Sequence, residues 1–247
     1  MAQINIWKNI EESDLTDYTL FLPSVAVGNV GQLACDLLIS SLKMKKIAKI
    51  HTIATIPVLG YDPYELKSHE LSLSCELYKS EERKISVLQI RAPLVFKYAR
   101  KFLNEIVENF KQKKIKDIVI LTSSYAHEKR HISTSPYRYK TSDVCSYKNK
   151  IEELNWTEHE TSEEELKIFG GGFASLLYKT CVENSMPCVV IYKYCSEGDN
   201  IPDAYDMVQQ LSNIIIMFSE KTDLLSQLVQ PVSWKFLFGR PPPKDIY

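Results

Sequence analysis

The sequence has no long hydrophobic run: its apolar blocks are short stretches such as 214–218, far below the ~18–20 residues that a membrane-spanning helix needs. It has no excess of charge either. Thirty basic residues against 31 acidic ones leave a formal net charge of −1, so neither nucleic acid nor an anionic membrane is expected as the main partner. Residues 1–10 lack the basic and apolar regions of a secretory signal, and the expected compartments are the cytosol and nucleus. No Cys-x-x-Cys occurs among the six cysteines, which are then reduced thiols rather than a disulfide frame. In such a compartment the sequon Asn155-Trp156-Thr157 is never glycosylated. There is no Gly-x-Ser-x-Gly elbow, and no cysteine has a histidine beside it.

What is present suits a single α/β domain. A chain of 247 residues can bury roughly 70–75% of the surface that its unfolded form exposes. Residues 18–23 read as a strand ending at a proline. Gly28-Asn29-Val30-Gly31 then turns the chain into a helix marked by Leu33, Leu37, Leu38 and Leu42. Residues 47–56 read as a strand buried on both faces. Alternating Leu71, Leu73, Cys75 and Leu77, followed across the charged turn 80–84 by residues 85–90, predict a hairpin with one face to the core. Helical spacing covers 94–110, 173–183 and 202–217, whereas 117–122 and 187–194 have the short apolar pattern of central strands. The polar stretch 157–167 reads as a loop. The alternation predicts a mostly parallel sheet with helices on both faces, formed by residues 1–240 and followed by an extended tail, 241–247.

Several stretches look chemical. His127-Glu128-Lys129-Arg130-His131 spaces two histidines as in a zinc protease helix, with Glu152 or Glu153 as a third ligand. The preceding strand, the nearby Pro136 and the charges at Lys129 and Arg130 favour a polar surface loop instead. The Gly28–Gly31 turn and Gly170-Gly171-Gly172 each precede a helix, where bare amides can cradle a phosphate. Neither completes a dinucleotide or P-loop fingerprint, so both read first as turns that need small residues. Glu197, Asp199, Asp203 and Asp206 offer oxygens to a hard cation. The simpler reading makes Asn200 an N-cap, Pro202 an early helical residue and Asp203 a favourable charge in the first turn. Lys111, Lys113, Lys114 and Lys116 read as a solvated helix end.

The C-terminal stretch combines Trp234, Phe236, Leu237 and Phe238 with Gly239, Arg240, three prolines and Lys244-Asp245-Ile246-Tyr247. Consecutive prolines hold such a segment extended, and a pre-extended end with a carboxylate suits capture by a partner.

Taken in order, residues 22–37, 83–91, 118–124, Ser135-Pro136-Tyr137-Arg138-Tyr139, Gly170–Gly172, 196–204, Ser233-Trp234 and Leu237-Phe238-Gly239 resemble the proteasome assembly chaperone 2 family. The resemblance implies a three-layer α/β/α fold similar to nucleoside phosphorylase-like proteins, without catalysis, cofactor or metal. It implies pairing with proteasome assembly chaperone 1, with the heterodimer sitting on the α ring of the 20S proteasome during assembly. Related chaperones insert tails ending hydrophobic-Tyr-any between α subunits, which makes Asp245, Ile246 and Tyr247 the partner-binding residues here. In this chain the tyrosine is last rather than penultimate. The competing reading is a nucleoside- or phosphometabolite-binding enzyme that uses the two glycine turns.

Overall fold

The computed structural model describes residues 5–8, 14–65, 67–154, 156–159 and 165–236, with 5–8 and 236 as backbone only. Strand β1 (Asn5–Lys8) is followed by β2 (Thr19–Pro23), every residue of which is buried. Pro23 has no N–H to give to a ladder and ends the strand. Helix α1 (Val30–Ser41) follows, then β3 (Lys45–Thr52), β4 (Leu59–Tyr61) and β5 (Leu71–Leu73). Strands β6 (Cys75–Ser80) and β7 (Ile85–Ile90) form the antiparallel hairpin, paired from Cys75↔Ile90 to Ser80↔Ile85.

Helix α2 (Phe96–Gln112) buries Ala99, Phe102, Leu103, Ile106, Val107 and Phe110, a stripe at steps of three and four that keeps one helix face on the sheet. Next come β8 (Asp117–Tyr125), β9 (Tyr137–Thr141), α3 (Lys148–Glu152) and β10 (Thr157–Glu158). The described chain closes with α4 (Ala174–Glu183), β11 (Cys188–Cys195), α5 (Ile201–Ser212), α6 (Leu224–Gln227) and a 3-10 turn, Val232–Phe236.

Among the described residues, nine strands form one sheet in the order β1-β3-β6-β7-β2-β8-β11-β9-β10. Its centre, β7-β2-β8-β11, is parallel, whereas β6, β3 and β1 on one flank and β9 on the other join antiparallel. Helices α1 and α5 pack on one face against Phe21, Val119, Leu121 and Ile191. Helices α2 and α4 cover the other, against Leu20, Leu22, Ile118, Ile120 and Val190. The three layers and the parallel centre agree with expectation.

The structure differs in five respects. Residues 47–56 are not one doubly buried strand: β3 ends at Thr52, and Ile53 and Ile56 are exposed. Leu71 and Leu73 do not belong to the hairpin but pair with β4 in a separate two-stranded ribbon. The hairpin itself is buried on both faces, with all six residues of β7 inside. The helix read over 202–217 stops at Ser212, and the apolar residues that follow, Ile214, Met217 and Phe218, are buried without helix. Thr157–Glu158, read as loop, pairs in parallel with β9 through Thr157↔Arg138 and Glu158↔Tyr139. Asn155 and residues 160–164 lie outside the described residues.

All six cysteines are free and buried. Burial pushes the Cys145 thiol up to about 12 and that of Cys195 up to about 11, which leaves almost no reactive thiolate at neutral pH. A chromogenic disulfide reagent at pH 7 is expected to find no fast thiol in the native protein, and all six after denaturation. Rapid labelling of one cysteine before unfolding would contradict this burial.

Candidate functional site

In open α/β sheets ligands bind in the crevice beyond the carboxyl ends of the parallel strands. Here β2, β8 and β11 end together, and the two glycine turns meet above them. Val27 N–H donates to Gly170 O (3.0 Å). Ser24 Oγ donates to Gly171 O (2.9 Å) and accepts from Phe173 N–H (2.8 Å). Thr122 Oγ1 also donates to Gly171 O (2.9 Å), Ser124 Oγ donates to Phe169 O (2.8 Å), and Ser123 Oγ donates to Val27 O. Four amides of the two turns are committed inside the protein: those of Val27 and Phe173, together with Asn29 N–H on Ala26 O and Gly171 N–H on Ile168 O.

The glycines are demanded by contact. A Cβ on Gly172, which has φ +61°, would lie 2.0 Å from Val25 O. One on Gly31 would meet Leu121 O at 2.6 Å, and one on Gly28 would meet the Asn200 side chain at 2.6 Å. These turns clamp one another.

His127 sits in a 3-10 turn, Ala126–Glu128, after which the backbone is extended at Lys129 before it reaches His131. His127 stacks on Tyr125 and His131 is exposed, so the two rings do not share a helix face. Glu152 and Glu153 are exposed at the end of α3. Among the described residues no three His, Cys, Asp or Glu side chains are grouped as metal ligands.

At the start of α5, Asn200 occupies the N-cap position without capping through its side chain. Its amide nitrogen donates to Ser196 O (2.9 Å) and Asp203 Oδ2 (2.7 Å), and Asp199 Oδ1 takes the Ile201 N–H instead (3.1 Å). Asp203 and Asp206 hold Lys193 at 2.7 and 2.6 Å, an internal cation where a metal was the alternative. Lys111 donates to Asn184 O (2.6 Å), and Lys116 lies over the Tyr147 ring.

Asp245, Ile246 and Tyr247 lie outside the described residues, as do Leu237, Phe238 and Gly239. The chain leading to them is anchored: Trp234 is buried and Ser233 N–H donates to Pro63 O (3.1 Å).

Two features escaped the sequence reading. One is a buried ionic cluster, in which Asp36 of α1 accepts from Gln89 (2.7 Å), Tyr64 OH (2.5 Å) and both terminal nitrogens of Arg91 (2.9 and 3.2 Å). Burial works against the Arg91 charge, yet Asp36 and Tyr64 beside it push its pKa above the ordinary arginine value. The other is an uncharged run, Ile56-Pro57-Val58-Leu59-Gly60-Tyr61, in which every residue is exposed.

These features define a three-layer α/β/α protein whose strand-end crevice is bridged by its own glycine turns. The PAC2 family model matches residues 20–227, and the chain belongs to that family. A protein of Danio rerio named Proteasome assembly chaperone 2 is 37% identical over 238 residues, covering 90% of this chain and 92% of the relative. Its Homo sapiens counterpart is 34% identical over 254 residues, covering 95% and 96%. Among solved structures, a Pyrococcus furiosus protein described as an archaeal proteasome activator superposes with a TM-score of 0.69 at 15% identity, over 92% of this chain and 93% of that one. A second P. furiosus protein, described as an archaeal homologue of proteasome-assembly chaperone, gives 0.68 at 14% identity, over 90% and 91%. At such identities the likeness is one of fold.

Proposed function

We propose that this chain is a non-catalytic chaperone of 20S proteasome assembly, working in the cytosol and nucleus as a heterodimer with proteasome assembly chaperone 1 on the α ring. The observation that carries this reading is the end-to-end match to relatives named Proteasome assembly chaperone 2, with 90% or more of both chains covered. The bridged crevice supports it, because the two glycine turns are bonded to one another and to the strand ends beneath them, and four of their amides are committed to the fold. Residues Asp245, Ile246 and Tyr247 supply a supplementary contact with α subunits.

Native affinity capture from the chain's own cell extract, read by mass spectrometry, tests this. The expected result is a stoichiometric related chaperone and proteasome α subunits, with few components of the mature 26S particle. Recovery of the chain alone with a bound metabolite or zinc overturns it. Deleting residues 245–247 is expected to weaken α-ring binding on the order of 10-fold, the loss of one good docking contact, and to leave the heterodimer intact. Unchanged ring affinity in the truncated protein removes the tail from the mechanism.

A further inference from the structure

The β4–β5 ribbon is built with its apolar face outward. Its register pairs Leu59 with Leu73, Gly60 with Ser72 and Tyr61 with Leu71, and successive strand residues point to opposite faces. Leu59, Tyr61, Leu71 and Leu73 therefore share one face. Of these, Tyr61 is 86% and Leu59 65% exposed. The inner face carries Ser72, buried and donating to Glu76 Oε2 (2.6 Å). A soluble ribbon ordinarily shows its polar side to water, and a run of exposed apolar residues is a fault in a monomer unless it has a use.

The patch extends beyond the ribbon. An isolated bridge, Thr55↔Leu94, and the bond from Val95 N–H to Ala54 O (2.8 Å) tie the chain before β4 to the start of α2. There Phe96 stands 96% exposed. Ile56, Val58, Leu59, Tyr61, Leu71 and Phe96 together expose on the order of 800 Å2 of residue surface, about what one partner gives to a standard interface.

Charges of mixed sign flank these residues in the chain, with Asp62, Glu65, Lys67 and Glu70 between β4 and β5 and Lys97 next to Phe96. An uncharged centre inside a polar rim is the anatomy of a protein interface. An anionic membrane would call for a basic rim instead.

We infer that this face, the outer side of the β4–β5 ribbon with Phe96, is where the chain pairs with the second chaperone of its heterodimer. The assignment rests on the heterodimer reading above and adds the surface to it. The occupant is a folded protein rather than a peptide because the exposed area matches one side of a standard dimer interface. Tyr61, aromatic and the most exposed residue of the ribbon, is its anchor.

The test co-expresses the full chain with proteasome assembly chaperone 1 of the same organism and measures pairing by sedimentation and titration. The double variant Leu59→Asp/Tyr61→Lys is expected to weaken pairing on the order of 100-fold, as loss of a central aromatic anchor does, with an unchanged melting temperature. The control Ile132→Lys, at a residue 89% exposed in the loop after β8, is expected to stay within about twofold, as a surface change away from the interface should. Full-strength pairing by the double variant overturns the assignment and leaves the heterodimer reading standing. Failure of the wild-type chain to pair at all overturns both. A homodimer that the double variant abolishes, or exchange protection over residues 56–61 that depends on residues 237–247, identifies another occupant and also overturns it.

Discussion

Gly172→Ala is expected to cost about 4 kcal/mol of stability, a loss tied to left-handed backbone strain plus a clash that nothing can relieve cheaply. Gly172 holds φ +61°, and the added methyl would sit 2.0 Å from Val25 O and 2.6 Å from the buried Ser24 Oγ. Both neighbours are fixed, since Ser24 N–H donates to Leu121 O (2.8 Å) and Ser24 Oγ spans Gly171 O and Phe173 N–H. For a domain of this size the loss converts to a fall of roughly 10 °C in melting temperature. Gly60→Ala, with nothing within 4 Å of the added carbon, should change stability by less than about 0.5 kcal/mol. Calorimetry of the pair checks the claim. If Gly172→Ala does not accumulate as folded protein, Gly31→Ala, 2.6 Å from Leu121 O, provides the milder version. Near-wild-type melting of both would mean that the two turns have room between them and that the crevice is open after all.

That clamp shows what a sequence can and cannot display. Each glycine turn is legible alone, because a strand, a small-residue turn and a helical stripe follow one another in the local pattern. That Val27 N–H reaches Gly170 O is not legible, since the two turns are far apart in sequence and meet only when β2 and β8 lie side by side. The central strands and α2 could be read because burial there follows residue type with a clear period. Strand β9 could not. Its Tyr-Arg-Tyr-Lys-Thr string reads as polar, yet Arg138 is 6% exposed. Its guanidinium lies over the Tyr194 ring and donates to Ser135 O (2.7 Å) and Tyr137 O (2.9 Å). A charged residue whose donors are met locally can be buried, and composition alone cannot announce it.

The end of α5 was overextended for the opposite reason. Residues 214–218 keep the apolar character of a helix face, but after Asn213 both Ile214 N–H and Ile215 N–H reach back to Leu211 O. The tightened last turn ends the helix, while burial of Ile214, Met217 and Phe218 continues. In the ribbon, exposure is what misled. Leu71 and Leu73 alternate as a core-facing strand would, and they do share one face, but it is the outward one.

Arg91→Met is expected to destabilise the fold by about 3–5 kcal/mol, because removing one partner of a buried ion pair leaves the other charge inside without compensation. Asp36 is 7% exposed and takes both terminal nitrogens of Arg91 as a fork, at 2.9 and 3.2 Å, which fixes direction as well as charge. The double variant Asp36→Leu/Arg91→Met should regain part of the loss, since it removes the stranded carboxylate but leaves the Tyr64 hydroxyl without either partner. Urea unfolding of the two single variants and the double one should give a coupling of about 2 kcal/mol or more. The exposed pair Arg100–Glu183, with side chains 61% and 44% exposed, should couple by less than about 1 kcal/mol. Equal coupling in the two pairs would refute the assigned burial of the first. The consequence reaches the surface, because Tyr64, in the chain joining β4 to β5, donates to Asp36 Oδ1 and accepts from Arg91 Nη2 (2.8 Å). This cluster therefore anchors the ribbon to α1 and β7. On the proposed pairing surface, Arg91→Met should weaken pairing together with stability, whereas changes at Leu59 and Tyr61 should weaken pairing alone, and that contrast separates what holds the ribbon in place from what the ribbon presents.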